Sequence, residues 1–145
     1  MRRGDIRPYV YFGLDVAFAA IYAVIIVAVI PNRIATTAIQ LWSLPVFTLV
    51  MAVGTAGIFT GKLRARGRTV AIAGGTLLIA STIVLIVRVL VSAAFLAGVY
   101  GAFGKAAATF ALVAVALVIE LVALLPIVQV KYLLSRAGKR AYAKP

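Results

Sequence analysis

Apolar residues in this chain fall in four long blocks, at about 10–30, 35–60, 69–97 and 106–134, divided by short polar or glycine-rich stretches. Each block exceeds the ~20 residues a helix needs to cross a ~30 Å hydrocarbon core at ~1.5 Å per residue. The two-residue alternation of a membrane barrel strand is missing, and an open sheet would leave backbone polar groups unpaired in lipid. The pattern therefore predicts an all-α integral membrane protein. One four-span domain is expected, an up-down bundle of four transmembrane helices built from two helical hairpins.

The breaks between blocks carry their own signals. Pro31 and Asn32 close the first block, and Gly61 closes the second ahead of the basic run 62–68. Gly98, Gly101 and Gly104 recur every third residue, which weakens a helix and predicts a tight connection over 98–105. Pro45 and Pro126 stand inside the second and fourth blocks and predict kinks. The first block is too long for the apolar core of a signal peptide, and no small-x-small cleavage site precedes Pro31. It is expected to be a retained helix.

Composition sharpens this picture. Of 145 residues, 65% are apolar and 12% charged, and the mean hydropathy of +1.15 leaves too little polar surface to cover a soluble core. Cysteine and histidine are both absent from the sequence, which removes disulfides, thiol chemistry, haem ligation by either residue and nearly every zinc or copper site. Asp15 and Glu120 are the acids inside the blocks, and no phosphate-cradling glycine loop occurs. A non-catalytic chain with no cofactor and no metal is the expectation.

A net charge of +12 on a soluble protein would point to nucleic acid. Here the placement of the charges overrides their sum. Arg2, Arg3 and Arg7 precede the first block, Lys62, Arg64, Arg66 and Arg68 divide the second from the third, and Lys131, Arg136, Lys139, Arg140 and Lys144 end the chain. The opposite side would hold only Arg33 and Lys105. This asymmetry predicts cytoplasmic N- and C-termini and a cytoplasmic central loop. The partners expected are anionic headgroups on the cytoplasmic side and other membrane subunits or further copies of the chain, with no nucleic acid. Arg64, Arg66, Arg68, Lys139 and Arg140 are the candidate headgroup contacts, each contributing about 1 kcal/mol near the surface. Tyr9, Tyr11 and Phe12 suit an inner aromatic belt, and Trp42, Tyr100 and Phe103 an outer one.

Asp15, Arg88 and Glu120 are the ionisable residues within the spans, where such groups mark a site or an internal pair. Helical rise puts Asp15 about 12 Å, Glu120 about 16 Å and Arg88 about 30 Å from the inner boundary. Side chains lean toward the start of their helix, so Arg88 and Glu120 lean toward each other across a hairpin centred on Gly104. An intramembrane Arg88–Glu120 ion pair follows, with snorkelling of Arg88 to outer headgroups as its alternative. Asp15 shares a face with Tyr11, Phe18, Ala19 and Tyr22. It is read as bonded to a tyrosine hydroxyl or reaching water or a loop arginine, with an ion or proton site at Asp15 or Glu120 as the functional alternative.

Small residues mark the expected helix contacts: Gly57 with Gly61, Gly74 with Ser81 on the seam of Arg88, and Ala116 with Ala123 on the face of Glu120. Two functions remain. The first is a non-catalytic accessory or scaffold subunit, or self-assembling helical module, of a membrane complex. The second is a small oligomeric transporter or channel that uses the embedded carboxylates.

Overall fold

The computed structural model describes residues 5–29 and 35–143, without the side chains of residues 29, 35–39, 62 and 118–120. All regular structure among them is helical. Helix α1 (Arg7–Val29) starts where the Asp5 carboxylate accepts the Arg7 amide at 3.2 Å. Pro8 falls in its first turn, where a missing N–H costs nothing. Helix α2 (Ala35–Ala56) runs through Pro45 and unwinds into two 3-10 turns, Gly57–Phe59 and Gly61–Leu63. Helix α3 (Arg64–Val99) is 36 residues long, about 54 Å at the rise of an α-helix. It starts earlier than the apolar pattern predicts, because arginine and alanine extend a helix well without being apolar.

The connection expected over 98–105 is far shorter. Helix α3 continues through Gly98, Tyr100 breaks it, and α4 (Gly101–Val118) begins at once. Gly101 supplies the reversal with φ +56°, a value that a side chain would strain. Gly104 is helical, and its bare face lies against the Leu96 carbonyl, closing the hairpin. The turn is therefore centred on Tyr100 and Gly101 rather than on Gly104.

Residues Ile119–Ala123 widen into a π turn before α5 (Leu124–Leu134). Pro126 explains the position. It offers no N–H to the Val122 carbonyl and its ring crowds that carbonyl, so the wider turn relieves the clash. The wider turn also rotates the face on which Ala116 and Ala123 were expected together: Ala123 is buried and Ala116 is exposed. Helix α6 (Arg136–Ala141), unforeseen in the basic tail, follows a sharp bend at Ser135, whose hydroxyl accepts the Gly138 amide at 3.2 Å.

Four helical stretches, Arg7–Ala28, Gln40–Phe59, Arg64–Val99 and Gly101–Leu134, are long and apolar enough to cross a membrane. Successive helices pack on one another, and α3 is central, touching α2, α4 and α5. The tightest crossing joins α2 to α3. A Cβ on Gly54 would stand 2.2 Å from the Ala71 nitrogen, and one on Gly74 2.8 Å from the Met51 nitrogen, so only glycine admits this approach. Gly57 meets Gly67 in the same seam, and the Ser43 and Ser81 hydroxyls hydrogen-bond further along it. Gly57, Gly74 and Ser81 are thus contact residues of the α2–α3 crossing, so Gly74 and Ser81 face α2 rather than the helix of Glu120. Gly61 is not, because it lies in a 3-10 turn with nothing near it, and Gly54 takes its place.

Two buried clusters fill the interior. Tyr22, Leu44, Met51, Leu78 and Val122 form the middle one, and Ile58, Ala71, Tyr132, Leu133 and Tyr142 the other, at the end of the helices that carries the chain termini.

Candidate functional site: a buried carboxylate at the basic end

One end of the molecule collects the start of α1, the α2–α3 connection, the end of α5 and helix α6. Tyr132 on α5 donates to Asp5 at 2.7 Å, the Arg7 guanidinium lies 5.9 Å over the Tyr132 ring, and the Tyr11 ring packs tilted at 45° against it, centroids 5.4 Å apart. Tyr9 and Phe12 both set their edges against Phe59, at 5.2 and 5.3 Å. Tyr9, Tyr11 and Phe12 thus gather at the end rich in Lys and Arg.

Just inside this end, Asp15 is buried with 1% exposure. Its Oδ2 accepts from Gln129 Nε2 on α5 at 2.8 Å and from Thr55 Oγ1 on α2 at 3.1 Å. Gln129 and Thr55 are also fully buried. The carboxylate thereby ties α1, α2 and α5 together at one level. Both of its donors are neutral. Thr55 has a single proton, and its hydroxyl also stands 3.1 Å from the Met51 carbonyl and 3.0 Å from that of Ala52. Gln129 Oε1, on the other face of the same carboxamide, is buried without a hydrogen-bond partner among the described residues. Acceptors outnumber protons here, among side chains buried inside the chain.

Tyr142 covers the group from outside. It is 2% exposed, sits among Ile58, Ala71, Tyr132 and Leu133, and donates to the Thr55 carbonyl at 3.4 Å. Burial first, and then the negative charge of Asp15, push its hydroxyl up to about 12. Gly138, one turn earlier on α6, lets the helix close down: a Cβ there would stand 2.3 Å from the Tyr132 carbonyl.

The other candidates disperse. Arg88 is exposed and lines a cavity of about 550 Å³ with Gln40, Ser92, Leu96 and Ala111. Counted from the turn at Tyr100 and Gly101, Arg88 is level with Val113 and Glu120 with Ser81, a stagger of about 10 Å along the axes. The equal depths expected of that pair required a turn at Gly104. The Glu120 side chain lies outside the described residues. Arg68 Nε donates to the Leu133 carbonyl at 2.8 Å and so caps the end of α5, a role its sequence position did not suggest. Arg64 is half-buried, whereas Arg66, Lys139 and Arg140 are exposed.

Sequence reasoning found Asp15 but not Thr55, Gln129 or Tyr142. Gln129 carried a signal, as one of two glutamines in otherwise apolar helices. A lone carboxamide does not show which helix it faces; α5 runs on to Leu134 with Gln129 buried and Lys131 exposed. Tyr142 follows Gly138 by one helical turn, the spacing of a docked face within a basic segment.

Beyond Asp15 the described interior holds no further charged side chain, and its buried Thr48 and Thr82 hydroxyls bond to carbonyls of their own helices. A cleft of about 370 Å³ opens between α1 and the π turn, walled by Phe18, Ile21, Ile25, Leu41, Leu85 and Leu121. Among the described residues no cluster of three His, Cys, Asp or Glu offers a set of metal ligands. No protein-family model, curated protein or solved structure matches the chain.

Proposed function

We propose that the chain is a multi-pass membrane protein without catalytic activity, an accessory or scaffold subunit, or self-assembling helical module, of a membrane complex. In this reading the four apolar helices cross the bilayer as an up-down bundle, and the basic end faces the cytoplasm. The observation that carries the scaffold role is a mismatch between the two hairpins. Ser43 is level with Ser81, so α2 begins near the level of Val89, while α3 continues to Val99, about 15 Å further. The tip that outruns the described parts of α1 and α2 exposes large apolar side chains, with Phe95, Val99, Phe103 and Phe110 all more than half exposed beside Ser92, Lys105 and Thr109. Helix surface of that length and polarity suits burial against other helices.

The chain contains no cysteine, so Phe103→Cys and Phe110→Cys each place a single thiol on the tip. Oxidation in native membranes should trap a disulfide-linked dimer or a defined second protein, and gentle extraction should co-purify that partner in fixed ratio. A lone monomer in both experiments would remove the scaffold reading.

A second reading, a small transporter or channel using Asp15 as an ion or proton site, draws on one observation. A buried carboxylate has only neutral donors, and an unpartnered carboxamide oxygen lies on its Gln129 partner. Protein in liposomes should then move protons or monovalent cations, and Asp15→Asn should abolish the flux. Wild-type protein that moves neither would end this reading.

A further inference from the structure

The second reading leaves open which charge Asp15 takes and what controls access to it; the following rests on that reading and deepens it. We propose that Asp15, with Thr55 and Gln129, is a proton-binding site, and that the folded-back tail closes the route to it from the basic end through Tyr142.

The ligand follows from a count of donors. An ionised carboxylate removed from water needs a counter-charge or several strong donors. Asp15 receives two hydrogen bonds, one from a hydroxyl that two backbone carbonyls also approach. Gln129 Oε1 meanwhile lacks a donor. One added proton on the carboxyl removes the charge and supplies the missing donor, since rotation of the carboxamide lets Asp15 donate to Oε1 while Nε2 turns away. The neighbouring charged groups, Arg64 apart, are already engaged or turned outward. Arg68 is spent on the Leu133 carbonyl, Arg7 lies over Tyr132, and Tyr132 donates to Asp5. Helix α2 carries no charged residue at all. On α3, Arg66 is exposed, and Arg64, half-buried with its Nε unpartnered among the described residues, stands one helical turn before Arg68, at the outer end of the helix; Lys131 on α5 and Arg136, Lys139 and Arg140 on α6 are exposed. Tyr142 is the titratable group that faces Thr55 from the tail.

The closure follows from how the tail is held. Six residues of helix do not persist alone in water, so α6 exists because it is docked. Its anchors are the Ser135 cap, the contact of Gly138 on Tyr132 and the buried ring of Tyr142. Its charges lie on the opposite side, free to stay solvated if the segment swings away. When Tyr142 leaves, the Thr55 carbonyl and the polar knot one turn below it face the basic end.

The test uses the full chain in liposomes. Infrared spectra should contain a carboxylic-acid carbonyl band that disappears as pH rises from about 5 to about 9, and Asp15→Asn should lack it. Absence of an acid band assignable to Asp15 at any pH in that range overturns the proton site. A band that sodium suppresses at fixed pH overturns it as well, in favour of a metal cation. Modification of Asp15 by a hydrophobic carbodiimide, read by mass spectrometry, then reports access. Tyr142→Ala should speed labelling about ten-fold, as expected when a local opening becomes easier, while Tyr142→Phe, which keeps the ring, should label at the wild-type rate. Equal rates in Tyr142→Ala and wild type, with helicity and the acid band retained, overturn the closure. An acid band without proton flux would instead retain the site and remove the transport reading on which it was built.

Discussion

Gln129 on α5 donates its side-chain amide to Asp15 on α1 at 2.8 Å, across 114 residues of chain. Because Thr55 on α2 shares the same carboxylate oxygen, one small polar group fixes the relative depth of three helices. Replacing Gln129 by Leu removes the stronger donor and should cost about 1–3 kcal/mol, since Asp15 then keeps a single hydrogen bond. Replacing both Asp15 and Gln129 by Leu should cost less than the sum of the single changes, because no polar group is left stranded. Thermal unfolding in detergent, read by circular dichroism for the four proteins of the cycle, checks this. Additive losses would mean that the contact contributes nothing of its own.

The α2–α3 crossing makes a sharper demand. Gly54→Ala puts a methyl carbon 2.2 Å from the Ala71 backbone nitrogen and 2.7 Å from the Gly67 carbonyl, and backbone cannot move aside as a side chain would. The helices must separate, at about 1–3 kcal/mol or more. Gly61→Ala meets nothing within 4 Å and should change stability by less than about 0.5 kcal/mol. The same unfolding measurement on both variants separates the contact glycine from the open one.

These glycines show how far hydropathy carries. Block lengths located all four long helices, since apolarity over a given length is a property of the sequence alone. The ends shifted wherever polar residues continue a helix, as at Arg64, or glycines serve packing rather than a loop, as at Gly104. Which small residues meet was only partly legible. Gly74 and Ser81 stood out as small residues, but not that they face α2, and Gly61, Ala116 and the choice of Gly54 depend on a 3-10 turn and a π turn that change the angular register. Asp15 stood out as an acid in an apolar helix. Its partners did not, because a lone carboxamide such as Gln129 does not show which helix it faces, and because nothing in a basic tail announces that it folds back. The Arg88–Glu120 pair was inferred from equal distances to a turn, and moving the turn by about four residues staggers the two by about two helical turns.

Tyr142 gives the tail a dependence on pH with a definite sign. Its hydroxyl, ordinarily at 10.0, is pushed up to about 12 by burial and by the nearby Asp15 charge, so docking favours the neutral phenol. The stabilisation this provides is complete below the ordinary value and is lost as pH rises toward the raised one. A fluorophore on Ala143→Cys, the only thiol such a chain would contain, should report release of α6 between pH 10.0 and about 12. Tyr142→Phe should abolish that transition. A release that persists in the phenylalanine variant would assign it to another group.

The basic residues should divide by what they touch. Arg66, Lys139 and Arg140 are exposed, and each is expected to contribute about 1 kcal/mol to attraction toward an anionic surface. Changing them to Gln should leave stability in neutral detergent unaltered, while reducing the extra stability that anionic lipid confers, and high salt should mimic the change. Arg68 differs, because its guanidinium caps the Leu133 carbonyl at 2.8 Å, where α5 ends and the chain bends into α6. Arg68→Met should cost about 1–2 kcal/mol in neutral detergent and in anionic lipid alike, and salt should not mimic it. Unfolding of these variants in neutral and anionic lipid–detergent mixtures distinguishes the two roles. If Arg68→Met behaves like Arg66→Gln in every medium, the capping bond contributes little and all four arginines and lysines serve the bilayer surface.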